Sequence, residues 1–67
     1  MSLVVLASSP TAAEEAAETL SREGFSAEAG TVGGASFVLV SGEEVDTAVA
    51  VEHARRTDPG CRPVSAW

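Results

Sequence analysis

The stretch "TVGGASFVLVS" (Thr31–Ser41) decides how this chain folds. Two residues, Gly33 and Gly34, stand between a weakly strand-like run and a strongly strand-like one. A Gly-Gly pair flanked by such runs is the signal of a β-hairpin with a tight primed turn, because both turn residues then need positive φ. The glycines lack a strand–loop–helix context and a lysine, so they read as a turn and not as a phosphate cradle. On the C-terminal side, "ASFVLVS" (Ala35–Ser41) is a strand with apolar groups on both faces. On the N-terminal side, "SAEAGTV" (Ser26–Val32) alternates only small apolar groups with Ser26, Glu28 and Gly30.

Working outward from the hairpin, "SPTAAEEAAETLSREGF" changes period. Ala13, Ala16, Ala17 and Leu20 recur at i, i+3, i+4 and i+7, one stripe of a helix. Ser9 before Pro10 marks its start, and Thr11 with Glu14 has the spacing of a capping box. Gly24 supplies a left-handed stop, from which Phe25 folds back on Leu20. Before the helix, "LVVLAS" (Leu3–Ser8) is a short strand apolar on both sides. After the hairpin, Ser41 with Glu44 predicts a second helix from Glu43 to about Thr57, closed by "DPG" (Asp58–Gly60). "CRPVSAW" (Cys61–Trp67) is a last strand, which Pro63 confines to a sheet edge.

The order β-α-β-β-α-β predicts an α+β, ferredoxin-like domain over residues 1–67: a four-stranded antiparallel sheet with both helices on one face. The first and third strands are central and the other two are edges. Leucine and valine fall in the central pair, glycine and proline at the edges.

Sixty-seven residues make one domain. A chain of this length buries only about 60% of its unfolded surface, so external support is expected. One cysteine excludes an internal disulfide, and one histidine with one cysteine is a poor metal set, so no metal or cofactor is expected. Self-association is the remaining route. Net charge is −6 with no lysine, which disfavours nucleic acid. No apolar span approaches a membrane helix and no basic leader precedes the first strand, so a soluble, cytoplasmic protein is expected.

The second helix has no clean stripe. Ala48, Ala50, Val51 and Ala54 form one apolar arc, while Val45 and Val49 lie on another side beside Glu52 and Arg56. Burying the first arc exposes the valines; burying the second draws Glu52 into the core at several kcal/mol. The valines are therefore expected outside, as a candidate contact surface. The sheet adds a second one. Leu3–Leu6 and Phe37–Val40 are apolar on both faces, so the face away from the helices also calls for cover. In so small a chain that cover would come from another subunit, as a homodimer or higher homo-oligomer, or from another protein.

"HARRTDPGC" (53–61) carries the only histidine and the only cysteine. With Arg62 it forms a basic corner: three arginines against Asp58 in residues 53–67, whereas residues 1–52 set nine acids against Arg22. A Cys61–His53 nucleophilic pair would need hydrogen-bond reach and an orienting third group. The alternative reading assigns His53, Arg55 and Arg56 to the negative end of a helix dipole, His53 on the helix's polar side, and Cys61 to packing. Glu14/Glu15 and Glu43/Glu44 read as first-turn carboxylates and not as acid–base pairs. Candidate binding residues are thus Val45, Val49, Arg56, Arg62 and Trp67, with no catalytic residue. The expected function is a non-enzymatic oligomeric binding or regulatory module; an alternative is a small oligomeric enzyme with an interface site near His53 and Cys61.

The pattern "VVLASSPTAAEEAAETLSREGFSAEA…GGASFVLVSGEEVDTAVAVEHA" resembles the SPOR (sporulation-related repeat) domain, and is similar too to small bacterial signal-transducing βαββαβ domains. The resemblance rests on element order and helix composition, and carries no functional residue across. Resemblance to SPOR implies binding of bare peptidoglycan glycan strands on the open sheet face.

Overall fold

The computed structural model describes residues 2–42 and 46–66. Its elements follow the order expected: β1 (Ser2–Ala7), α1 (Pro10–Arg22), β2 (Ser26–Val32), β3 (Ala35–Ser41), α2 (Thr47–Thr57) and β4 (Arg62–Ala66). The four strands form one antiparallel sheet in the order β2-β3-β1-β4. This is the ferredoxin-like α+β arrangement, with β1 and β3 central.

The β2–β3 hairpin is built as its glycines require. Gly33 and Gly34 adopt φ of +58° and +83°, the two positive values of a type I′ turn, and Val32 pairs directly with Ala35. Alternation then sorts the central strands. Leu3 and Val5 of β1 and Val38 and Val40 of β3 are fully buried under the helices, whereas Val4, Leu6, Phe37 and Leu39 face the other way and are half-buried.

The buried stripe of α1 is Ala13, Ala16, Ala17 and Leu20, the residues its period predicts. Its start differs in detail. Ser9 alone is the cap, its Oγ accepting from the Ala12 amide at 3.1 Å with Pro10 in the first turn. Thr11 lies inside the helix, so the Thr11–Glu14 spacing is not used, and Glu14 and Glu15 fall beyond the first turn. The C-terminus is a Schellman motif: the Phe25 amide donates to Leu20 O at 3.0 Å and the Gly24 amide to Ser21 O at 3.2 Å, with Gly24 at φ +94°. Phe25 packs back against the core.

Helix α2 begins later than its sequence suggests. Asp46 is the cap, its side chain accepting from the Val49 amide at 3.2 Å, while Ser41 belongs to β3. Glu43, Glu44 and Val45 lie outside the described residues. An aspartate two positions before an alanine-rich run caps as well as a serine further upstream. The buried face of α2 is Ala50, Val51 and Ala54, and a hydroxyl–hydroxyl hydrogen bond of 2.8 Å between Thr19 and Thr57 joins it to α1. The helices meet the sheet mainly through alanines, so the core is thin; its largest fully buried side chains are Leu3, Leu20, Val5, Val38 and Val40.

Asp58 closes the structure. It is the C-cap of α2 and is buried, with its carboxylate reaching 50 residues back to the β1–α1 junction. Oδ2 accepts from the Ser8 amide at 2.8 Å, and Oδ1 from the Ser8 hydroxyl at 2.6 Å and the Gly60 amide at 3.2 Å. Burial raises the pKa of such a carboxyl, but the three donors favour the anion more strongly and hold it below its ordinary value. Gly60 must remain bare, since a Cβ there would sit 2.6 Å from Ser8 Oγ.

Asp58→Asn keeps the shape and removes the charge, and is expected to cost about 2–3 kcal/mol at neutral pH. Because the folded pKa lies below the unfolded one, this difference is complete above the ordinary value of 3.8 and disappears as pH falls through the folded pKa. Urea titrations of the two proteins at successively lower pH check this; a pH-independent difference would exclude the carboxylate as its source.

Candidate functional site

The open face of the sheet carries the most distinctive surface. Cross-strand partners share a face, so the register defines it row by row. One row runs Glu28–Leu39–Val4 and the next Gly30–Phe37–Leu6–Arg62. The centre is therefore apolar on both central strands. No element of the described chain covers it, since both helices lie against the opposite face, where Leu3, Val5, Val38 and Val40 meet the helical alanines. Phe37 lies across β2: a Cβ on Gly30 would meet its Cζ at 2.6 Å. The glycine in this edge strand is thus a seat for an aromatic ring. Val32, at the hairpin end of the same face, is 70% exposed.

The flanks are charged and opposite. Glu28 is exposed on β2 and Arg62 is exposed on β4, at the two outer edges of the face. Among the described residues neither is ion-paired; the pairs present are Glu18–Arg22, Glu52–Arg56 and the contact of His53 with Glu23.

The other sequence-derived candidates separate from this face. Val49 is 39% exposed on α2, as the wheel predicts, with Arg56 beside Glu52 at 3.7 Å on the same helix. Val45 and Trp67 lie outside the described residues. Among the described candidates, Arg62 alone joins the open face. A groove the sequence reading did not foresee runs between α2 and β4, with a volume of about 560 Å³ lined by Thr47, Ala48, Val51, Glu52, Arg55 and Pro63. Its signal was available: Ala48 and Pro63 are too short to fill the space between a helix and an edge strand.

The histidine and the cysteine occupy different surroundings. His53 does not lie on the polar side of α2 but is largely covered against the end of α1, its ring centroid 6.2 Å from that of Phe25 and its Nε2 3.9 Å from Glu23. Its Nδ1 is buried and has no hydrogen-bond partner among the described residues. Cys61 is buried in the core, 2% exposed, and its carbonyl accepts from Arg55 Nε at 3.3 Å. Burial, and next the negative charge of Asp58, push the thiol up from its ordinary value of 9.0 against the opposing effect of Arg55. A thiol so placed stays protonated at neutral pH and packs as a small apolar group.

No family model, curated protein or solved structure gives a significant match to this chain. No helix among the described residues is long and apolar enough to cross a membrane.

The environment of Cys61 makes a direct prediction. A thiol reagent at neutral pH should modify native protein at least about a hundredfold more slowly than protein in denaturant, since the thiolate is both rare and covered. Rapid native labelling would show that the thiol is open and ionised.

Proposed function

We propose that the protein is a small, non-enzymatic, cytoplasmic binding or regulatory module that works as a homo-oligomer through the open face of its sheet. The observation that carries this reading is the apolar centre formed by Val4, Leu6, Phe37 and Leu39, on a sheet whose helices all lie on the other side. A face of that character favours contact with another protein layer, because leaving it in water forfeits about 25 cal/mol for every Å² of apolar surface. The thin alanine core strengthens the case, since a 67-residue domain with few large buried side chains gains most from a second layer.

Two features weigh against the alternatives. A protonated, packed Cys61 and a His53 turned towards Phe25 do not assemble a nucleophile and its base. A glycan platform calls for polar groups and stacking rings across the face, whereas its centre here is aliphatic around a single ring, Phe37.

Sedimentation at low micromolar concentration is expected to give a dimer or larger species for the unaltered protein. Leu39→Glu, which places a charge at the centre of the face without entering the helix-side core, should shift it to monomer while circular dichroism stays unchanged. A protein that sediments as a monomer throughout would refute the reading.

A further inference from the structure

Resting on the self-association just proposed, the charge layout of the open face fixes how two copies meet. We infer that a second copy of this chain stacks face to face about a two-fold axis parallel to the strands, so that Glu28 of each protomer pairs with the partner's Arg62.

Two-fold stacking of two sheets allows two simple choices of axis, and they differ in which strands face each other. An axis parallel to the strands reverses the order across the sheet. It lays β2 over the partner's β4 and β3 over the partner's β1, since the order is β2-β3-β1-β4. An axis perpendicular to the strands lays each strand over its own copy. Glu28 sits on one edge strand and Arg62 on the other. Under the perpendicular axis both glutamates therefore gather at one edge and both arginines at the other, and like charges oppose closure. Under the parallel axis each edge brings one glutamate to one arginine, twice by symmetry.

The apolar rows agree with the same choice. Leu39 and Val4 share one row, Phe37 and Leu6 the next. The parallel axis keeps each row in register, so Leu39 falls over the partner's Val4 and Phe37 over the partner's Leu6, a larger group against a smaller one in each case. Glu28 lies one row of this face away from Arg62, roughly 7 Å along the strand, a gap that an arginine side chain and the twist between stacked sheets can span. Neither charge is engaged within its own chain among the described residues, so both are available to a partner.

The test uses charge reversal and sedimentation or fluorescence-based dimer titration at low ionic strength. Glu28→Arg and Arg62→Glu should each weaken the homodimer about tenfold, because two pairs per dimer turn repulsive. The double variant restores both pairs and should return to within about threefold of the original. Equimolar E28R mixed with R62E should form a heterodimer as tight as the original homodimer. If the axis is perpendicular instead, neither single reversal will weaken the homodimer and the double variant will pair with unaltered protein in preference to itself, which overturns the inference while leaving self-association intact. Additive weakening with no rescue in the double variant overturns it as well. A monomeric unaltered protein removes both this inference and the reading on which it rests.

Discussion

The Asp58 carboxylate is the interaction on which the rest of this small fold depends. It stands at the end of α2, where a negative charge is opposed by the helix dipole, and it is buried as well. Both costs are offset by three donors, two of them from Ser8 at the far end of the chain's first strand. The consequence is architectural. The junction between β1 and α1 is tied to the junction between α2 and β4, so the two βα halves close on one another at a single charged point. The same carboxylate reaches Cys61, where its charge joins burial in keeping the thiol protonated. One group thus fixes a turn, joins the halves and silences the one residue that composition alone marks as reactive.

The helices contribute small groups to the core and little bulk. Alanines let α1 and α2 lie close to the sheet, yet they leave few large side chains to exclude water. Bulk sits instead on the two central strands, and it is divided between their faces. Leu3, Val5, Val38 and Val40 go to the helices, and Val4, Leu6, Phe37 and Leu39 to the open side. This division links stability to the proposed function: the second layer proposed above would cover the apolar side chains that the helices leave open. Phe37 fills the space over Gly30 that a side chain on β2 would otherwise occupy.

Much of this was legible in the residues. The α1 stripe, the Gly33–Gly34 turn, the central position of the valine-rich strands and the exposure of Val49 all follow from periodicity and turn chemistry, which are local. The start of α2 was not. Two capping signals compete there, Ser41 with Glu44 and Asp46 alone, and the length of β3 carries Ser41 into the sheet and leaves Asp46 to cap. His53 was misplaced for a related reason. A helical wheel ranks positions by their own helix, and the packing of α1 against α2 covers a flank that the wheel assigns to solvent.

The sequence by itself determined the element order, the antiparallel sheet and which strand residues alternate, because these depend on spacings of a few positions. Only the tertiary structure decided that Asp58 is a buried tie to Ser8, that Cys61 is sealed beside it, and that Glu28 and Arg62 flank one apolar face from opposite edges. Those relations join residues as many as 50 positions apart. They are set by strand order and register, and no local pattern encodes a distance across a sheet.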